Sequence, residues 1–301
     1  MRNESQYVYG DQIGLPMLIH LSRLRSQVAH PVPWHSHPGC EIIFILEGAT
    51  AYEFSGKSET LLSGGKFLVV PAGFVHRGKH DMRAPCKVCG LAINDSPGTS
   101  WKGTTFNKSD RRQFLNTFHS PTPQVHPFNP ALRWLVRRLM EETVNHYSNP
   151  HQSDSAAALR SLICTVLVEV MRQVQVPPSE PREFVAAAIA YLKSRLADNV
   201  RMNELARQVG YSRARMFDLF KAQTGLTPND YLQRLRIEKA QELLKQSETS
   251  VTDIALTLGF SSGQYFSTVF GRYMGVSPKE FRQGAKPGKR HIFERIHGEL
   301  A

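Results

Sequence analysis

A chain of 301 residues has room for two domains, and its 41% hydrophobic and 21% charged residues are ordinary for a soluble globular protein. The formal charge of +11, about +7 of it from Arg182 onward, suits a phosphate-facing surface, although an acidic partner or solubility alone would also account for it. No apolar run reaches bilayer length, the opening MRNESQYVYGDQ lacks a signal-peptide core, and four cysteines are too few for a disulfide framework, so a cytoplasmic protein without membrane contact is expected.

In chain order, residues up to about Asp95 read as short strands punctuated by Gly and Pro: Met17–Ser22, Glu41–Leu46, Thr50–Phe54, Phe67–Val70 and Val88–Ile93. Even spacing with such turns argues a sandwich or barrel. Within it lie His35, His37 and Glu41, and further on His76. If one strand runs through the first three, its period of two sets them on one inner face. Three imidazoles and a carboxylate suit a divalent transition metal such as Mn, Fe, Ni, Cu or Zn better than Ca or Mg. The same side chains could equally hydrogen-bond to a small molecule or to one another. Cys86 and Cys89 form a lone CxxC whose two members point to opposite faces of a strand, so ordinary packing is the simpler reading. Cys40 and Cys164 read as buried fillers.

Residues 94–130 are rich in Pro, Ser and Gly and read as an irregular passage. Two helices follow, Ala131–Tyr147 and Ala156–Val174. The second carries a seam of Leu159, Leu162, Ile163, Val166, Leu167, Val170, Met171 and Val174, which suits intramolecular core or a subunit contact alike. Three prolines between Val176 and Pro181 make a semi-rigid linker.

Beyond the linker the chain repeats itself at about 50 residues. Met202–Ser212 parallels Thr252–Ser261, and Met216, Phe220, Gly225, Pro228 and Tyr231 parallel Phe266, Phe270, Gly275, Pro278 and Phe281. Each copy reads as helix, Gly turn, helix, the layout in which the second helix enters the major groove of DNA. Thr249 or Ser250 caps one such helix, and Ser261 or Ser262 the next. A helix over Asp230–Lys245 joins the two units. The recognition helices are expected over about Arg213–Ala222 and Ser262–Tyr273. The final basic run from Lys286 to His291 is a solvated charge run or a phosphate-contacting tail.

Arg236-Ile237, Ala240, Leu243-Leu244, Ile254-Ala255, Gly259-Phe260, Tyr265-Phe266-Ser267, Phe270, Gly275, Ser277-Pro278 and Phe281-Arg282 resemble the signature of the AraC/XylS family of bacterial transcription regulators over roughly the last 120 residues. Over most of residues 15–95 the stretches His35–Gly48 and Gly65–His76 are similar to the two cupin motifs. Ala29 stands where the first motif usually begins with Gly, and His80 where the second usually ends in Asn. The resemblance implies a two-domain architecture: an N-terminal all-β cupin-like barrel followed by helices, then a C-terminal all-α double helix-turn-helix domain. Its expected divisions are a ligand sensor over 1–127, a dimerising helical pair over 128–175, the linker over 176–181, the DNA reader over 182–285 and a basic tail over 286–301.

The function implied is sequence-specific control of a promoter in response to a small-molecule effector, as a homodimer contacting double-stranded DNA and RNA polymerase. A sugar or other carbon source, an aromatic acid and a metal ion are all compatible with the barrel. Expected base readers are Arg213 and Arg215 for guanine, Asp218 for cytosine N4 and Gln264 for adenine, with Ser267 and Thr268 as shorter readers. The resemblance usually puts a basic residue at Asp218 and Arg at Thr268, so Asp218 could instead weaken non-specific binding and the second unit is expected to read fewer bases. Ser212, Lys221, Ser261 and Arg272 are expected on phosphates. In cupin enzymes the positions of His35, His37, Glu41 and His76 hold a metal; in regulators they often line an effector pocket. The competing function is a metal-dependent cupin enzyme fused to a DNA-binding domain.

Overall fold

The computed structural model describes residues 3–56, 59–118, 122–149, 153–175 and 183–284. The proline linker over 176–181 and the basic tail over 286–301 lie outside them. The first part of the chain holds strands β1 (Glu4–Tyr9), β2 (Leu18–Arg25), β3 (His30–Pro31), β4 (Cys40–Phe54), β5 (Glu59–Ser63), β6 (Lys66–Val70), β7 (His76–Gly78), β8 (Met82–Arg83), β9 (Cys86–Ile93) and β10 (Gln124–Pro127). The main sheet runs β1-β2-β9-β4-β6-β10, with β5 and β7 also paired to β4 and β3-β8 forming a separate pair.

The two strands expected over Glu41–Leu46 and Thr50–Phe54 are one, β4. Its register slips between Ile45 and Glu47, and Gly48 takes φ +85°. The irregularity turns the strand from β6 and β9 toward β5 and β7, as a bulge does. Its first half is apolar at successive positions because both faces are covered. Cys40, Ile42, Phe44 and Leu46 face helices, whereas Ile43 and Ile45 face the barrel interior with Leu24, Leu68, Val70 and Val88.

The passage over 94–130 is less irregular than its composition suggests. It contains α1 (Lys108–Phe118), which buries Phe114 and Phe118 one turn apart, and β10, which pairs with β6. A polar composition and only two core side chains hide that helix from a periodicity reading. Helix α2 (Pro130–Ser148) starts at Asn129, whose side chain accepts from the Leu132 amide, and α3 (Ser153–Val174) lies beside it. The α3 seam is spent within the chain: Leu159, Ile163, Val166, Leu167 and Val170 are fully buried with the helix-facing side of the sheet. Cys86 enters the barrel core and Cys89 the helix-facing core, and all four cysteines are free and buried.

The C-terminal part is helical: α4 (Glu183–Ser194), α5 (Met202–Gln208), α6 (Arg213–Thr224), α7 (Pro228–Gln246), α8 (Val251–Thr257), α9 (Gly263–Met274) and α10 (Pro278–Arg282). Ser212 and Ser262 cap α6 and α9 through the amides of Arg215 and Tyr265, and Ser250 caps α8. Both recognition helices end on left-handed glycines, Gly225 at φ +74° and Gly275 at φ +71°. One core forms around Val185, Leu205, Met216 and Phe220, a second around Ile254, Phe266, Phe270 and Phe281. Helix α7 serves both, giving Leu232 to the first and Ile237, Ala240 and Leu244 to the second. Its Arg236 is 9% exposed and donates to the carbonyls of Leu196, Asp198 and Gly259, at 2.8, 2.7 and 3.0 Å, which ties the two halves together. Among the described residues no helix is long and apolar enough to cross a membrane.

Candidate functional site

The two recognition helices present polar side chains outward. On α6, Met216 and Phe220 face the core, which turns Arg213, Arg215, Asp218 and Lys221 to the exposed side. Arg213 lies over the Phe217 ring at 5.4 Å. On α9, Phe266, Val269 and Phe270 face inward, and Gln264, Thr268 and Arg272 are exposed. Ser267 is half-buried, its hydroxyl donating to the Gly263 carbonyl at 2.8 Å, and Thr268 likewise donates to Gln264 at 3.1 Å. Ser212 caps its own helix, while Ser261 is exposed just before the α9 cap. The Tyr265 hydroxyl accepts from Gln233 Nε2 at 3.1 Å, which fixes α9 against α7.

The second constellation is in the barrel. No single strand runs through His35, His37 and Glu41: β4 begins only at Cys40, His35 forms an isolated bridge with His76, and His37 lies in the loop between. They converge all the same. His37 Nε2 lies 3.4 Å and His76 Nε2 3.1 Å from Glu41 Oε2, and the His35 and His76 rings are 4.2 Å apart. His35 Nδ1 donates to the Pro33 carbonyl at 2.8 Å and His76 Nδ1 to the Phe74 carbonyl at 3.0 Å. These bonds orient both rings with Nε2 turned away from the backbone, the arrangement that supports metal ligation.

Burial alone would raise the Glu41 pKa, but its hydrogen bonds and charge contacts with His37 and His76 hold it well below the usual carboxylate range. Burial opposes a charged His76, yet the bond and charge of Glu41 outweigh it and raise its pKa. His35 is lowered by burial and by its neighbour His76. The donor set fits a divalent transition metal: His35, Glu41 and His76 have ligand atoms within 4.8 Å of one another, as do His20, His37 and Glu41.

Two interior residues, His20 and Arg83, lie outside both cupin motifs. His20 on β2 joins the cluster, its ring 5.3 Å from that of His37, and burial lowers its pKa. Its period-two alternation with Ser22 and Leu24 was a usable signal. Arg83 on β8 had none. It is 8% exposed, its Nε has no hydrogen-bond partner, and no described carboxylate forms an ion pair with it.

A family model described as "Helix-turn-helix domain" matches residues 205–284, and one described as "Cupin domain" matches residues 25–94. The HTH-type transcriptional activator RhaS of Shigella sonnei (strain Ss046) is 29% identical over 260 residues, 84% of this chain and 88% of the relative. The chain joins an AraC-type helix-turn-helix domain to a cupin domain and is similar to RhaS-type activators of the AraC/XylS family over most of its length. An AraC-type transcriptional regulator from Chromobacterium violaceum is 33% identical over 35% of this chain and 95% of that one, with a TM-score of 0.33. The DNA-binding domain of AdpA, solved with a target DNA, is 29% identical over 34% of this chain and 93% of its own, also with a TM-score of 0.33.

The barrel docks on the C-terminal ends of both recognition helices. Gly225, which ends α6, packs so closely on Gly64 that a β-carbon there would sit 2.1 Å from the Gly64 amide nitrogen. At the end of α9, the Arg272 carbonyl accepts from the Ala29 amide at 2.7 Å, and Arg272 Nε donates to the Gln27 carbonyl at 3.2 Å. A side chain expected on phosphate is thus engaged by the barrel in this arrangement. Gly275 packs on Met82, and His80 Nε2 lies 3.0 Å from Gln241 Oε1 on α7. His80 sits four residues past His76, on the same short excursion from β7 to β8.

Proposed function

We propose that this AraC/XylS regulator is ligand-responsive: the barrel over 1–127 binds a small effector, and the occupied barrel changes how the reader over 182–285 engages a promoter. The observation that carries the reading is the docking itself. The barrel grips the ends of both recognition helices while their outward polar faces stay exposed. A ligand can shift that arrangement only as far as it binds the docked and released forms differently. In this reading Arg213, Arg215, Asp218, Gln264, Ser267 and Thr268 face bases, and Ser212, Lys221, Ser261 and Arg272 face phosphates. Arg272 does so only after leaving Gln27.

His35, His37, Glu41 and His76 would hold a divalent transition metal, which when bound supplies a Lewis-acidic anchor for an effector oxygen. The chain's own contribution is to orient the imidazoles through Pro33 and Phe74 and to keep Glu41 ionised. The proposal extends to a cytoplasmic, non-enzymatic activator acting with RNA polymerase, its residues 128–175 contributing to a homodimer. Because the α3 seam is already buried, such a contact would use other surface, including Trp134, which is 63% exposed.

The test is metal content and promoter binding measured together on wild type, His35→Ala/His76→Ala and Arg215→Ala. Near-stoichiometric metal that disappears with the two histidines, together with effector-dependent binding, is expected. Arg215→Ala should weaken specific binding about tenfold or more and relax discrimination at one base position. Specific binding unchanged by Arg215→Ala would remove α6 as the reading helix. Turnover of a small substrate by the metal-loaded protein would favour the enzyme reading instead.

A further inference from the structure

Arg83 has no explanation in a barrel that binds only metal or neutral ligand. On β8 its neighbour Met82 points outward to the reader and packs against Gly275, so strand alternation turns Arg83 inward. There it lies beside Tyr52, Tyr7 and Cys86, opposite His30 on β3. None of these balances a guanidinium. Burial pushes Tyr52 up to about 12 and Cys86 to about 11, raises Tyr7 as well, and with Arg83 itself depresses His30 to about 4. All four are therefore neutral at physiological pH. Glu41, a carboxylate of the same interior, is taken by His37 and His76.

A guanidinium does not shed its proton in a protein, so burial without a counter-charge is costly. Tyr52 Oη lies close enough to the guanidinium to favour its charge, yet neither Tyr52 Oη nor Arg83 Nε makes a hydrogen bond of normal geometry. A cation with no counter-charge and a hydroxyl with spare donor capacity thus face the same interior. Tyr7 and Tyr52 connect this point to the histidine cluster, with ring centroids 5.8 Å from His20 and 6.3 Å from His76.

We propose that the effector is a small organic monocarboxylate, its carboxylate held by Arg83 and Tyr52 and its remainder directed toward the His20–His76 end of the barrel. One uncompensated positive charge balances one negative charge. A phosphate dianion would bring a second charge into an interior where the field of Glu41 already reaches Tyr7 and Tyr52, and a sugar would leave Arg83 unpaired. The inference rests on the barrel being the effector site, and the experiment separates the two.

Thermal melting of the full chain is followed with a series of monocarboxylates from acetate through hexanoate to benzoate, and with hexanamide, benzamide, inorganic phosphate and glucose as comparisons. At saturation at least one acid should raise Tm by about 5 °C while its amide, phosphate and glucose do not. Arg83→Met should abolish that shift, Tyr52→Phe should reduce it, and Arg83→Met without ligand should melt no lower than wild type, because removing an uncompensated buried charge relieves the fold. The proposal is overturned if no acid shifts Tm, if the amides or phosphate act equally, or if Arg83→Met melts several degrees lower without ligand. Promoter binding on the same samples isolates the underlying reading. An Arg83-dependent acid that leaves DNA affinity unchanged keeps the site and removes its sensing role. Glucose that alters DNA binding regardless of Arg83 keeps sensing and removes the anion.

Discussion

His80 shows how one residue carries two constraints. It stands where the cupin motif usually has Asn, and its backbone is left-handed at φ 57° and ψ 37°, a region Asn tolerates well and most residues do not. Here an imidazole occupies that position and reaches Gln241 of the reader, a bond Asn is too short to make from the same backbone. His30 illustrates the electrostatics of the same interior. Burial, then the charge of Arg83, lowers its pKa to about 4. Between pH 6.5 and about 4 the unfolded chain binds a proton at His30 that the native state refuses, so stability falls as pH falls through that window and levels off below it. His30→Gln removes this linkage. Comparing melts at pH 7 and pH 4.5, the variant should lose about 1–2 kcal/mol less than wild type on acidification, a discounted figure because His30 is only partly buried. An equal acid loss in both would show that His30 titrates normally in the native state.

The repeated elements differ at their glycines in what surrounds them. Gly210 follows α5 and Gly225 ends α6, the two helices of the first unit, with nearly the same φ, +76° and +74°. At Gly210 a β-carbon meets nothing within 4 Å, whereas at Gly225 it meets the Gly64 backbone. Gly210→Ala should therefore cost only the left-handed strain, about 1 kcal/mol, with docking intact. Gly225→Ala adds a backbone clash that no rotamer change can relieve, so it should also separate barrel from reader. Calorimetry gives the first quantity and small-angle scattering the second. Equal effects of the two substitutions would deny the Gly64 contact. Much of this level was legible beforehand: Ser262, Gly225, Gly275 and Pro278 are local punctuation, and the cap of a helix depends on neighbours within four residues.

At the scale of the molecule, the groove between barrel and reader is lined by Met82, His80 and Thr50 on one side and by Ile237, Gln241 and Met274 on the other. Met82 is 4% exposed and packs against Gly275 of the reader. Met82→Asp places a carboxylate in this apolar contact and should release the barrel. The radius of gyration should rise, and affinity for the promoter should change several-fold without effector. A change in radius with unaltered DNA affinity would mean that docking does not govern reading. The histidine cluster and the barrel's own contact residue are close in sequence, since His80, which meets Gln241 of the reader, follows His76 on the same short excursion.

The AraC/XylS character, the doubled helix-turn-helix and the spacing of His35, His37, Glu41 and His76 were determined by sequence alone, because each is written in local patterns: helical periodicity, caps, glycine stops and short motif intervals. The single bent β4, the helix within 94–130 and the inward turn of Arg83 were decided by tertiary structure. So were the entry of His20 into the cluster and the grip of Gly64 and Ala29 on the recognition helices. Each of these depends on partners far away in the chain, such as Arg272 against Ala29 or Ser22 against Gly90. Local propensity has no term for contacts of that range, and a buried cation such as Arg83 looks in sequence like any surface arginine until the strands close around it.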